Sequence, residues 1–360
     1  MQNKIKNKII VIGFTTILAI GFLANLVIED KDISTSERRK LAQFPEVTIK
    51  NVISGNVINK WEKYVEDQFV GRDVFRGIKS FWSMNIFAQK DNNKLFKKDD
   101  AIYKMDYPLS EKNVKKSAQK ISEVYEKYLK GMNVYYSIIP EKNYYLENDD
   151  HLKLNYDELQ QIVQGEVSNL KYIDIREGLD LEDYYRTDLH WKQENLQDVV
   201  KIIQKNMGLK ETEISYETQN KGEFYGTYYG QLATNVTPDI LYVLTNETIE
   251  NCKTYNFETK KNNQVYTETN SADRYDIFLS GATPLISIEN PNSQTDKELL
   301  LFRDSFGSSL APLLVENYRK ITLIDLRYIS SQLLGEFIEF NNQDVLFLYS
   351  TVVLNQNILK

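Results

Sequence analysis

The chain has little of the usual chemistry of small reactive side chains: one cysteine, Cys252, and two histidines, His151 and His190, in 360 residues. A single thiol excludes an intrachain disulfide. Cys252 also lies in the polar Asn251–Cys252–Lys253 stretch with no base beside it, so it reads as incidental. Two histidines leave few places for a histidine-based mechanism. An excess of positive charge is missing as well, since 44 Lys and Arg against 51 Asp and Glu give a net charge of -7. Nothing resembles the basic stripe that neutralises phosphates, which sets nucleic acid aside as a partner. The Asp149-Asp150-His151 stretch offers one imidazole and no second cluster, so it reads as a solvated loop and no metal site is expected. Internal repeats and low-complexity tracts are absent, and long apolar runs are absent with one exception.

That exception is at the N-terminus. Lys4, Lys6 and Lys8 precede an apolar stretch from Ile9 to Ile28, and Glu29, Asp30 and Asp32 follow it. Twenty helical residues reach about 30 Å, the thickness of a bilayer's hydrocarbon core. The lysines on the near side predict a cytoplasmic tail over residues 1–8 and a transmembrane anchor over 9–28, with everything after it outside the cytoplasm. No Ala-x-Ala cleavage site stands near Ala24, so the segment reads as an uncleaved signal-anchor in the lipid bilayer.

Residues 29–50 are polar and read as a linker. Val57, Trp61, Tyr64, Val65 and Phe69 recur at helical steps, and the pattern continues through Val74–Phe87. Ser110 to Leu129 reads as a helix ended by Gly131. Val134–Ile139 is a buried strand stopped by Pro140, Tyr156–Leu170 a helix, and Tyr172–Ile175 a short strand. A helix is expected from Lys192 to Asn206. After an irregular β-containing excursion at about 210–290, alternation returns: Leu299–Phe302 strand, Ser308–Tyr318 helix, Ile321–Leu326 strand, Ser330–Phe340 helix, Val345–Tyr349 strand. Such alternation predicts an α/β fold with a parallel sheet flanked by helices.

Two short stretches carry the chemistry, Thr187-Asp188-Leu189-His190-Trp191 and Arg303-Asp304-Ser305-Phe306-Gly307. Ser305 lies between a strand and a helix, where parallel sheets place their ligands, and the helix start offers backbone N–H groups to an oxyanion. The G-x-S-x-G spelling of a nucleophile elbow is absent. A serine hydroxyl needs a base, which His190 supplies, and the base needs an acceptor on its other nitrogen, which Asp188 supplies. The plainer alternatives are a helix cap at Ser305 and a helix start at Thr187 or Asp188. Asp304 adjoins the serine and is expected to shape the turn. Lys142 and Arg327 follow strand ends and are candidates for binding an anionic substrate. The 24 tyrosines suit either a core or a sugar-binding surface.

Asp188-Leu189-His190-Trp191 resembles the D-x-H-W motif of the alginate O-acetylation proteins and the related DHHW proteins of low-GC bacteria. Arg303-Asp304-Ser305-Phe306 is similar to their serine block, a variant of that of SGNH hydrolases. Glu37-Arg38-Arg39-Lys40-Leu41, Asp67-Gln68-Phe69 with Arg72-Asp73, and Pro140-Glu141-Lys142 add to the likeness. The resemblance implies an SGNH-like (flavodoxin-like) catalytic domain over 51–360, with Ser305 as nucleophile, His190 as general base and acid, and Asp188 as its orienter. It implies an O-acetyltransferase that forms an acetyl-serine and passes the group to a polysaccharide acceptor, with a membrane-bound O-acyltransferase as donor partner and no cofactor. An acetyl esterase and a non-catalytic scaffold of an exopolysaccharide assembly complex are the alternatives. Three features depart from the pattern. Arg303 stands where the SGNH block has Gly, and Tyr349-Ser350-Thr351 where an oxyanion-hole Asn is usual. No C-terminal carbohydrate-binding module follows, which leaves Tyr225, Tyr228 and Tyr229 as candidate glycan contacts.

Overall fold

The computed structural model describes all residues except 1, 35, 47, 49–52, 148, 149, 212, 269, 270 and 272. Asp149 therefore lies outside the described residues, while the ring of His151 stacks on Phe96. Contacts divide the chain into two compact units, one of residues 1–92 with 230–235 and the other of 93–229 with 236–360. Residues 53–92, expected with the sheet, thus cluster with the N-terminal segment.

The larger unit is built on an eight-stranded sheet. In chain order its strands are β1 (Val134–Ile139), β2 (Lys171–Tyr172), β3 (Lys253–Asn256), β4 (Lys261–Asn263), β5 (Leu285–Glu289), β6 (Glu298–Arg303), β7 (Lys320–Ile324) and β8 (Asp344–Ser350). Across the sheet they lie in the order β4-β3-β5-β7-β6-β8-β1-β2. From β7 to β2 all pairings are parallel. The expectation of a parallel sheet needs correction at the other edge, where β5, β3 and β4 pair antiparallel. These three strands come from the stretch expected as an irregular excursion. Each is short and interrupted by Thr, Asn, Ser or Lys, and its strand conformation rests on pairing with a neighbour rather than on an apolar run.

The central strands are covered on both faces, which is why they read as continuous apolar runs. Side chains alternate between two cores. Leu299, Leu301, Leu346 and Leu348 pack on one face with Trp191, Val199 and Leu310. Leu300, Phe302, Val345 and Phe347 pack on the other with Val114, Ile121, Val163 and Leu354. Burying each such side chain stabilises the fold by about 1.5–3 kcal/mol. A hairpin of Glu217–Phe224 and Asp239–Thr245 adds a smaller core, where Phe224, Leu241 and Val243 meet Tyr185, Tyr275 and Phe278.

Several helices are shorter than their apolar spacing predicts. The segment after β6 is helical over Phe306–Leu310 and tightens to a 3-10 helix over Ala311–Asn317, where Pro312 removes a backbone donor. The segment after β7 forms only a 3-10 helix over Ser331–Glu336, and the one after His190 begins with a 3-10 turn, Gln193–Asn195, before the helix Gln197–Asn206.

In the smaller unit, the helix Gln2–Val27 is long and apolar enough over Lys4–Val27 to cross a membrane or act as a signal-anchor, and no residue of that span is buried. The stretch after it is more than a linker. Ile33–Ser34 pairs with Arg39–Lys40, and Arg39 donates through both terminal nitrogens to Asp67. Asp67 also accepts from Ala42 N–H, and the Arg39 hydrogen bond holds its carboxyl down at about 2. Glu37 lies 2.6 Å from Arg72 and 3.3 Å from Arg76. This ion network fixes two helices, Asn56–Gln68 and Arg72–Phe81, the latter continuing as a π-helical turn to Ile86.

Candidate active site

Ser305 stands just past the carboxyl end of β6, in ordinary right-handed helical conformation. Its side chain caps no helix N–H. Instead Oγ lies 2.7 Å from His190 Nε2, across 115 residues of sequence. On the other side of the ring, His190 Nδ1 lies 2.6 Å from Asp188 Oδ1. That carboxylate also accepts the His190 backbone N–H at 3.0 Å, so one oxygen fixes both main chain and ring. Its second oxygen accepts from Thr227 N–H at 2.6 Å. Asp188 is fully buried and His190 nearly so, while Ser305 is half-exposed. An acceptor on Nδ1 puts the ring proton there and leaves the Nε2 lone pair for the hydroxyl.

The serine is positioned mainly by backbone. β6 is paired on both sides. The Asp304 carboxylate accepts from Phe306 N–H at 3.0 Å and from Ser350 N–H, at the end of β8, at 2.8 Å. Asp304 thereby ties the turn to the next strand. The same contacts alter the expected oxyanion site. Phe306 N–H is taken by Asp304, Gly307 N–H donates to the Asp304 carbonyl, and Ser308 N–H donates to that of Ser305. The helix-start donors expected to face an oxyanion are therefore engaged within the turn. At the second departure from the family pattern, Ser350 caps its own short helix and the Thr351 hydroxyl is buried without a partner.

The histidine is positioned mainly by side chains. Lys142 Nζ donates to the carbonyls of Tyr185, Arg186 and Asp188 at 2.8, 3.1 and 2.9 Å. Burial pushes its ammonium down to about 7, while the nearby Asp188 and Asp239 carboxylates favour the charged form. The expectation that Lys142 lies open to an anionic substrate is thus corrected: the side chain is buried and its donors face the loop carrying Asp188. Asp239 accepts from the N–H groups of Arg186 and Thr187 and from the Thr187 hydroxyl at 2.6 Å. A side chain at Gly226 would collide with Asp188 Cβ and the Thr187 carbonyl, so that close approach requires glycine. The His190 ring stacks on Tyr275 with centroids 3.9 Å apart.

Trp191 joins the two sides. Its indole N–H donates to Ser309 Oγ at 2.9 Å and to the Phe306 carbonyl at 3.2 Å. Ser309 Oγ also accepts from Tyr275 and itself donates to Phe306. Gln193 donates to the Ser309 carbonyl and accepts from Leu244 N–H.

Arg327 forms a bidentate pair with the fully buried Asp325, using Nε and one terminal nitrogen, and Arg303 approaches the same carboxylate at 3.4 Å. The Arg303 side chain is buried, which lowers its pKa, and it occupies the place where a Gly307 side chain would go. Tyr225 is exposed and Tyr229 half-exposed, their rings 4.5 Å apart. Tyr228 is buried with its ring 5.3 Å from Lys142 Nζ. It cannot offer a face to a glycan, which corrects that expectation. A cavity of about 530 Å³ is lined by Tyr184, Tyr185, Lys142, Asp239 and Glu194, and Ser305 is not among its walls. Burial raises the Glu194 carboxyl to about 7. Sequence reasoning missed Tyr275, Asp239, Gly226 and Ser309. The first three fall in the stretch read as an irregular excursion and carry no local signal. Among the described residues no cluster of His, Cys, Asp and Glu is arranged to hold a metal.

A DHHW protein of Eubacterium siraeum has a similar structure, at 19% identity and a TM-score of 0.62, covering 74% of this chain and 95% of the other. PatB1 of Bacillus cereus is similar at 19% identity and 0.59, covering 75% and 99%, and its form with a sulfonyl adduct at 18% and 0.57, covering 74% and 96%. These likenesses speak for a shared α/β fold. No curated protein matches the sequence. The family model described as DHHW protein matches residues 122–324, more than half of the chain, and includes the D-x-H-W stretch within a sheet built as above. The chain is a member of the DHHW protein family.

Proposed function

We propose that the protein is an SGNH-like O-acetyltransferase working outside the cytoplasm, which transfers an acetyl group through an acyl-Ser305 intermediate to hydroxyls of a secreted or cell-wall polysaccharide. The observation that carries this reading is the unbroken chain from Ser305 Oγ through His190 to Asp188, at 2.7 and 2.6 Å. In the proposed reaction, His190 Nε2 takes the Ser305 proton as Oγ attacks the acetyl carbonyl. The tetrahedral intermediate collapses as the donor's leaving oxygen departs with that proton, leaving acetyl-Ser305. An acceptor hydroxyl then attacks, His190 takes its proton, and the same proton returns to Ser305 Oγ as the new ester leaves. Asp188 holds the ring tautomer and balances the imidazolium formed at each step. The N-terminal helix supports a membrane-anchored placement, in which a polytopic O-acyltransferase would supply the acetyl group.

A chromogenic acetyl ester tests the acyl-enzyme. Wild type should release the chromophore, and Ser305→Ala and His190→Ala should not. Equal turnover by all three would refute the triad, and silence in all three would favour the scaffold reading. Oligosaccharide acceptors that gain about 42 Da per acetyl group distinguish transfer from hydrolysis. A sulfonyl fluoride provides a second readout, since Ser305 should displace its fluoride and gain the mass of the reagent less HF, while Ser305→Ala stays unmodified.

A further inference from the structure

A surface helix of a soluble domain turns its apolar stripe inward and its polar face to water. The helix Arg72–Phe81 with its turn to Ile86 does the reverse. Arg76, Gly77, Ser80, Ser83 and Met84 form its sheltered side, and Arg76 donates to the carbonyls of Gly230 and Gln231. The opposite side presents Phe75, Ile78, Phe81 and Trp82, which are 57, 46, 54 and 47% exposed, with Val74 and Ile86 continuing the row. These positions recur at three- and four-residue steps and make one stripe. Single exposed apolar residues are ordinary, but a continuous aromatic and aliphatic row marks a contact surface.

The surroundings say what covers it. The stripe's helix begins at the foot of the Gln2–Val27 helix: Val70 N–H donates to Asn25 Oδ1 at 2.8 Å, Tyr64 donates to Asp30 at 3.1 Å, and Lys31 and Gln68 exchange two hydrogen bonds. The ion network of Glu37, Arg72, Arg76, Arg39 and Asp67 locks the same region. The start of the stripe's helix is therefore held where the candidate membrane helix ends. Trp and Phe are also the residues that settle at a membrane–water interface.

We infer that the Val74–Ile86 face lies in the outer lipid surface and serves as a second membrane contact beside the N-terminal helix. This rests on the reading of residues 9–28 as a bilayer anchor. Such a contact fixes the smaller unit against the membrane plane rather than leaving it to swing on one helix.

The test uses the full chain reconstituted into phosphatidylcholine vesicles whose acyl chains are brominated near the headgroup, beside unbrominated vesicles. The emission due to Trp82 is the difference between wild type and Trp82→Phe. It should fall by about half or more in brominated lipid, because an interfacial helix sits roughly 5–10 Å into the headgroup and acyl boundary. A Phe75→Ser, Ile78→Ser, Phe81→Ser variant, altered only at exposed positions, should lose that quenching and keep its melting temperature. Trp82 emission that is equally bright in both lipids would overturn the inference and point to a protein, or a second copy of the chain, as the occupant. Resistance to carbonate extraction reports on the N-terminal anchor separately: extraction of the wild type would refute the anchor, while Trp82 quenching still decides the interfacial helix.

Discussion

Ser305 follows a strand whose backbone is bonded to parallel neighbours on both sides, and the one carboxylate that shapes its turn also reaches the next strand. His190 lies in a stretch whose only sheet-like pairing among the described residues is an isolated bridge between Tyr184 and Trp191. It is held by Lys142, Asp239 and Asp188, all buried, and by the ring of Tyr275. A ladder of main-chain hydrogen bonds tolerates most side-chain changes, because no single residue owns it. A loop held by buried polar side chains depends on each of them, because removing one leaves its partners desolvated and unpaired. The serine side should therefore resist substitution around it, and the histidine side should not.

The largest effect is expected at the three residues of the proposed triad. Ser305→Ala and His190→Ala should lower kcat on an acetyl ester by about a thousandfold or more, and Asp188→Asn, which presents the wrong group to Nδ1, by a comparable factor. These variants do not separate the two sides, but they set the scale.

Lys142→Met does separate them. It keeps the bulk of the side chain and removes three donors from the carbonyls of Tyr185, Arg186 and Asp188. A loss of about 2–3 kcal/mol of stability is expected, and kcat at temperatures where the protein stays folded should drop roughly tenfold to a hundredfold. The matching change on the serine side is Leu301→Ala. It should cost about 2–5 kcal/mol through the cavity it leaves, yet alter kcat of the folded protein little. Denaturant melts alongside kcat give both readouts. If Leu301→Ala lowered kcat as much as Lys142→Met, the contrast would be lost.

Trp191→Phe sharpens the comparison at the seam, since it removes the indole donor shared by Ser309 and the Phe306 carbonyl. A fall in kcat of about tenfold with KM nearly unchanged is expected, as the base drifts relative to the hydroxyl.

The smallest effect is a pH dependence on the histidine side. Burial raises Glu194 to about 7 in the folded state, from 4.5 as a free side chain. The folded protein thus holds this proton more tightly than the unfolded chain. The associated stability is fully present below about 4.5 and is lost as pH rises through about 7. Glu194→Gln removes the ionisation, so variant and wild type should respond alike to pH below that window, and the variant should gain on wild type by about 1–2 kcal/mol above it. Urea melts at pH 4.5 and pH 8 check this, and a difference that does not change with pH would refute it.

Much of this was legible in the sequence because it is local. The apolar runs of β6 and β8 are buried on both faces and therefore need no alternation to be recognised. Asp188 and His190 are two positions apart, so their pairing is a property of one short turn. The scarcity of histidine made His190 stand out. The antiparallel edge strands were not legible, because Lys253–Asn256 and Leu285–Glu289 acquire strand conformation only by pairing with distant neighbours. Nor were the true places of Lys142 and Tyr228. A lysine after a strand end and a tyrosine in a glycine-rich run look like surface residues until another loop folds over them. The shortened helices after β6 and β7 show the same limit, since apolar spacing reports which face is buried and says little about how tightly the backbone winds.

The sequence by itself determined the apolar N-terminal helix, the strand-and-helix alternation, and the identities of the serine, the histidine and its aspartate, because each is written in neighbouring residues. Only the tertiary structure decided that Ser305 meets His190, that Lys142 supports the loop from within, and that the apolar row Val74–Ile86 faces outward. Those outcomes depend on contacts across 115 positions at the site and 155 at the helix, and on which of two helix faces meets the ion network. Periodicity reveals that a helix has two unlike faces, but it is the packing that determines which one meets water.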